Sequence, residues 1–165
     1  MNFKEWFENK LIVGRYPLPT EIQKSNYDII INVSDEYIFP CHAAAQRVSI
    51  LYYWFPMNEC TSIGMESIYG AMQILRIAES QRKKVYLHCH AGINRSKVIQ
   101  ACYHLMRTGL PQENNPTLLE NIEQGFLPPL DKIKAFLINC QAAFEMEETM
   151  RGGQLDECKL QSGIK

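Results

Sequence analysis

Val85-Tyr86-Leu87-His88-Cys89-His90-Ala91-Gly92-Ile93-Asn94-Arg95-Ser96 carries the sharpest structural signal in the chain. Its first residues are β-favouring and mostly apolar, and they end at a Cys followed by a short run that includes a Gly. Beyond Ser96, Val98, Ile99, Cys102, Leu105 and Met106 recur at helical spacing until Gly109, a residue suited to ending a helix in the left-handed conformation. The stretch therefore predicts a strand, a tight loop and a helix N-terminus. Such a loop gathers backbone N–H groups into an anion cradle. A thiol at its start and a guanidinium at its end turn that cradle into a candidate site for phosphoryl transfer.

Each position has a chemical task in that reading. The Cys89 sulfur, aimed at a ring of N–H dipoles beside a fixed cation, is expected to ionise readily, and the thiolate is the nucleophilic form. His90, Ala91, Gly92, Ile93, Asn94 and Arg95 would turn their amides onto phosphate oxygens, with Gly92 accommodating a sharp turn. The planar fork of Arg95 matches two equatorial oxygens and supplies the charge that a metal would otherwise bring. No metal and no cofactor are expected. Ser96 is placed to hydrogen-bond the sulfur when a phosphocysteine is hydrolysed, and His88 to order the loop in a supporting role. His88, Cys89 and His90 alternate in facing along a strand, and no second Cys/His cluster has zinc-like spacing, so a metal reading is set aside.

These residues match the His-Cys-x5-Arg-Ser/Thr signature of the protein tyrosine phosphatase superfamily, and His-Cys-x-Ala-Gly-x-x-Arg-Ser resembles its dual-specificity branch. Leu11-Ile12-Val13-Gly14, Pro17 and Asp28-Ile29-Ile30-Ile31-Asn32-Val33-Ser34 look like the first two strands of that family, and Glu123-Gln124-Gly125-Phe126-Leu127-Pro128-Pro129-Leu130 resembles its closing helical segment. The resemblance implies a cysteine-dependent phosphomonoesterase acting through a phosphocysteine, with phosphorylated protein or peptide as substrate and phosphate or sulfate as ligands of the loop. A tyrosine or dual-specificity preference is the default expectation. Two alternatives stay open: a low-activity, phosphate-binding pseudophosphatase module, and a relative of the RNA 5′-phosphatases, whose loops often end in Asn-Arg. The loop has no lysine, which argues against a highly charged lipid headgroup.

Members of this family protonate the leaving group with an Asp on a loop that precedes the helix before the signature strand. No Asp occurs between Asp35 and Asp131. The matching region is Phe55-Pro56-Met57-Asn58-Glu59-Cys60-Thr61-Ser62, and Glu59 is its one carboxylate. Glu59 is the candidate general acid, with Asp35 next if the loop after the second strand folds over the pocket; Glu36 and Glu66 are further candidates.

At 165 residues and 46% hydrophobic content, the chain has enough apolar matter for one compact core. A net charge of −1 gives no electrostatic case for an obligatory nucleic-acid or membrane partner. The N-terminal residues do not read as a signal peptide, no apolar run reaches membrane-spanning length, and six cysteines do not form a disulfide-framework pattern. A reducing cytoplasm is the expected location.

Residues 11–14, 28–33, 47–52 and 84–88 read as strands. Residues 65–82 form a helix with an apolar stripe at 68, 71, 72, 75 and 78; Asn115-Pro116 opens another that ends near Gly125, and 130–146 form the last. The alternation predicts a single α/β domain with a central, mostly parallel sheet of about four to five strands flanked by helices. The domain is expected over residues 1–146, with 147–165 a polar, flexible tail. Tyr52-Tyr53-Trp54-Phe55, Met65 and Met72 are expected to pack.

Overall fold

A computed structural model describes residues 1–58 and 63–161, with side chains up to residue 150. Four short strands form its sheet: β1 (Leu11–Gly14), β2 (Ile29–Asn32), β3 (Leu51–Trp54) and β4 (Val85–His88). Their order is β1-β4-β2-β3 and every pairing is parallel. The last strand in sequence thus slots between the first two. In register, Gly14 and Asn32 both lie opposite His88, so the chain leaves β4 at Cys89 flanked by the ends of β1 and β2. This is the carboxyl end of a parallel sheet, where open α/β folds place their ligands.

The helices are α1 (Phe3–Asn9), α2 (Pro19–Lys24), α3 (Phe39–Arg47), α4 (Met65–Ser80), α5 (Arg95–Thr108), α6 (Thr117–Glu123) and α7 (Leu130–Gln161). They cover both faces of the sheet, as the alternation of side chains along β2 requires. Ile29 and Ile31 join Leu87, Met72, Leu75, Val98 and Ile99 in the larger core, whereas Ile30 packs with Ile22, Cys41, Ala44 and Ala45 under α2 and α3. Each fully buried Ile, Leu, Val or Met side chain among them contributes about 1.5–3 kcal/mol relative to exposure. The expected stripe of α4 is buried at every position, α5 ends on a left-handed Gly109 (φ 73°), and Asn115 caps the start of α6 by accepting from the Thr117 amide and hydroxyl.

Four features depart from the sequence reading. The third strand lies at 51–54, not 47–52, because Pro40 and the Ala43–Ala45 run favour helix up to Arg47, and Ser49 turns the chain at φ 60°. The aromatic run is therefore itself the edge strand: Tyr53 and Phe55 pack on the larger core and Tyr52 on the smaller, while Trp54 is 39% exposed. Helices α1, α2 and α3 are too short to show a periodicity. Residues 124–129 connect α6 to α7 without continuing either helix. Among the described side chains of α7 the last buried one is Phe144, and the helix itself runs to Gln161. No helix among the described residues is long and apolar enough to cross a membrane.

Candidate active site

Cys89 opens the loop between β4 and α5 and is 1% exposed. Its sulfur accepts the Gly92 amide at 3.2 Å and lies 3.4 Å from Ser96 Oγ. Burial alone would raise the thiol pKa. The Ser96 hydroxyl and the backbone of Ser96, Gly92 and Asn94 outweigh that effect, and the net shift is downward. The thiol and the hydroxyl expected to assist it therefore meet at the start of α5.

Gly92 holds the loop's sharpest bend at φ 77°, against the end of β1. His90 bonds the same neighbour, accepting the Tyr16 amide at 3.0 Å while its ring stacks on that of Tyr16. Ala91 and Ile93 are exposed. Asn94 precedes α5, and its Oδ1 accepts from Asn121 Nδ2 at 2.7 Å; the same amide group donates to the Thr117 carbonyl at 2.8 Å. A buried Asn on α6 thus pins the junction of loop and helix. Sequence reasoning did not find Asn121, because nothing in a helical pattern marks one Asn as reaching a distant loop.

His88 is fully buried. Its Nδ1 lies 3.1 Å from the Cys89 carbonyl, which can only accept, so this nitrogen carries the proton. Burial lowers the imidazole pKa to about 4, against a smaller opposing contribution from that hydrogen bond, and the ring is neutral at pH 7. Its Nε2 is buried without a hydrogen-bond partner.

The Arg95 guanidinium is 3% exposed, and its Nη1 donates to Asp35 Oδ1 at 2.6 Å and to the Met57 carbonyl at 3.1 Å. Asp35 sits on the loop after β2. The turn is built by Asn32, whose Oδ1 accepts the Ser34 amide and hydroxyl and whose Nδ2 donates to the Glu36 carbonyl. Trp54 Nε1 closes it by donating to Ser34 O at 2.9 Å. An Asn-x-Ser run after a strand is a sequence signal for such a turn. Hydrogen bonding to Arg95 holds the Asp35 carboxyl below its ordinary pKa, with its own backbone adding to the effect.

Of the other acidic candidates, Glu36 and Glu66 have exposed side chains, and Glu66 belongs to the first turn of α4. Glu59 lies outside the described residues. No group of three His, Cys, Asp or Glu among the described residues is placed to hold a metal ion. A cavity of about 570 Å³ bordered by Phe3, Phe7, His104 and Leu110 opens at the far end of α5 and shares no residue with this site.

A parallel sheet delivering a thiol into an amide-lined loop, closed by a buried guanidinium, is the architecture of a cysteine-dependent phosphatase. The chain belongs to the family described as dual specificity phosphatase, catalytic domain, which it matches over residues 11–142. It is 25% identical over 113 residues to the tyrosine-protein phosphatase MSG5 of Saccharomyces cerevisiae, an alignment covering 66% of this chain and 22% of that protein. The chain thus spans about a fifth of that relative's length. Among solved structures it is similar to PTPMT1 in complex with PI(5)P (TM-score 0.62, 17% identity, 83% of this chain and 96% of that one). It is also similar to the core catalytic domain of the PP-IP phosphatase SIW14 from S. cerevisiae in complex with citrate (TM-score 0.53, 14% identity, 78% and 79% covered). Proteins that share this fold thus include one in complex with PI(5)P and a PP-IP phosphatase, so the fold alone leaves the substrate open.

Proposed function

We propose that the chain hydrolyses phosphomonoesters of proteins, phosphotyrosine foremost with phosphoserine and phosphothreonine alongside, through a phosphocysteine on Cys89. The observation that carries the reading is the Cys89 thiol, shielded from solvent and made more acidic by the hydroxyl and backbone of Ser96 and the backbone of Gly92 and Asn94. The thiolate attacks phosphorus as the ester P–O bond breaks, and the leaving oxygen takes up a proton. Water then attacks the phosphocysteine, releasing phosphate and returning the sulfur to its hydrogen bond with Ser96. The amides of residues 90–95 and the Arg95 guanidinium stabilise the charge of both transition states.

Two aromatic pairs support an aryl phosphate: Tyr16 stacks on His90 at the β1 side of the loop, and Tyr37 leans on Trp54 at the β2–β3 side. Such rings favour a planar leaving group. A thiolate nucleophile requires a reducing compartment, for which the cytoplasm is suited. The decisive variant is Cys89→Ser: turnover of p-nitrophenyl phosphate should fall to background while inorganic phosphate still binds. Substantial turnover in the folded variant would overturn the mechanism.

Glu59 is the proposed general acid. Asp35 is held ionised by Arg95, which suits a proton donor poorly. Glu59→Gln should slow hydrolysis of alkyl phosphates by about 10²- to 10⁴-fold and affect p-nitrophenyl phosphate much less. Equal rates for wild type and variant on both substrates would move the role elsewhere.

A further inference from the structure

The ion pair between Asp35 and Arg95 joins unequal partners. The guanidinium is 3% exposed at the base of the loop, whereas the carboxylate is 57% exposed on a neighbouring loop. The acceptor is 2.6 Å from Nη1, a short charge-assisted hydrogen bond. Two features of the fold bring it there. Parallel register sets the end of β2 beside the end of β4, and the Asn32–Ser34 turn, itself buried, directs the next residue towards the guanidinium. Asp35 is therefore held at Arg95 by a built turn rather than by a chance rotamer of a surface side chain.

A carboxylate and a phosphate oxygen have the same needs at a guanidinium: negative charge, planar approach and two hydrogen bonds. A phosphate in the cradle would bring its oxygens and its negative charge to the group that Asp35 already contacts. Two anions that close repel one another, and only the phosphate gains the loop amides as additional donors. We propose that Asp35 is a competing anion built into its own active site, which substrate phosphate displaces from Arg95 and which thereby sets the affinity of the loop for oxyanions. The proposal rests on the reading of Arg95 as a phosphate-binding residue. Its chemical consequence is a higher KM and weaker product inhibition than the loop alone would give, so that the free phosphate ion binds weakly and affinity depends more on the body of the substrate. The depressed pKa of Asp35 agrees with this, since a competitor must stay ionised at the pH of turnover.

The test is the binding of inorganic phosphate to the full chain by calorimetry, together with phosphate inhibition and steady-state kinetics on p-nitrophenyl phosphate. Asp35→Asn should tighten phosphate by about two- to fivefold, the upper part of the range for a partly exposed ion pair converted to an affinity ratio. KM should fall by a similar factor with kcat held within about twofold of wild type, the split expected when only ground-state competition is removed. Asp35→Glu, which restores a carboxylate, should return phosphate affinity towards the wild-type value, and Asp35→Ser should behave as Asp35→Asn if the amide variant proves unstable. Unchanged or weaker phosphate binding in both neutral variants, or a loss in kcat exceeding the change in KM, would overturn the proposal and make Asp35 a positioning or proton-donating residue. Calorimetry separates this from failure of the phosphatase reading. A wild-type protein that binds phosphate without turnover defeats the activity but still reports on Asp35, whereas undiminished phosphate binding in Arg95→Ala defeats the assignment of the site itself.

Discussion

A Cβ built on Gly92 would fall 2.4 Å from the carbonyl carbon of Gly14 and 2.5 Å from the Arg15 nitrogen, and the residue has φ 77°. Both neighbours are backbone atoms at the end of β1 and cannot swing aside. The left-handed conformation adds roughly 1–2 kcal/mol for any residue with a side chain. Relief requires moving the loop off β1, which would shift the amide that donates to the Cys89 sulfur. Gly92→Ala should therefore reduce kcat/KM by on the order of 10²-fold, the scale of a 1 Å misplacement of reacting groups. It should also slow alkylation of Cys89 by iodoacetate at neutral pH, because a thiolate that loses an amide donor is less favoured. Wild-type alkylation and turnover in that variant would show that the loop tolerates the displacement.

At the level of elements, the parts legible in the sequence are those whose signal is local. Strand β4, the loop and helix α5 follow from one apolar run, one Gly and a helical stripe, and α4 from its stripe of Ile68, Ala71, Met72, Leu75 and Ala78. The ends of β1 and β2 were equally readable, because strands this short are bounded by turn residues. The shift of β3 towards the C-terminus has a physical reason: Val48 and Ile50 read as strand, but Val48 caps α3 and Ile50 is pulled into the smaller core beside Cys41 and Ala45. Helix α7 outruns the stripe expected for it: residues 145–150 are exposed, yet the helix continues to Gln161. Of the candidate site, the contiguous residues Cys89 to Ser96 were legible as one loop between strand and helix. What no pattern in the sequence conveys is the contact between loops: Asp35 could be named as a carboxylate, but its position at Arg95 depends on the strand order β1-β4-β2-β3, and Asn121 reaches Asn94 only because α6 folds back along α5.

For the molecule as a whole, the parallel sheet that delivers Cys89 to the loop at its carboxyl end leaves His88 fully buried at the end of an interior strand, with neighbours on both sides. An imidazole there must stay neutral, and its pKa moves from 6.5 down to about 4, chiefly because burial penalises the charge. In the unfolded chain the same group takes up a proton below pH 6.5. Between pH 6.5 and about 4 the unfolded state therefore binds more protons than the folded state, and the folding free energy falls as the pH is lowered through that window. The loss attributable to His88 is about 2–3 kcal/mol by pH 4.5, a large fraction of the stability of a domain of this size. Urea unfolding at pH 7 and pH 4.5 should show a marked drop in midpoint for the wild type. His88→Asn, which keeps a polar side chain without a titrating group, should begin from a lower stability at pH 7 yet lose less of it on acidification. An equal drop in both proteins would place the acid sensitivity outside His88; the depressed Asp35 and Glu21 act with the same sign, but their contribution is lost mainly below their ordinary values of 3.8 and 4.5.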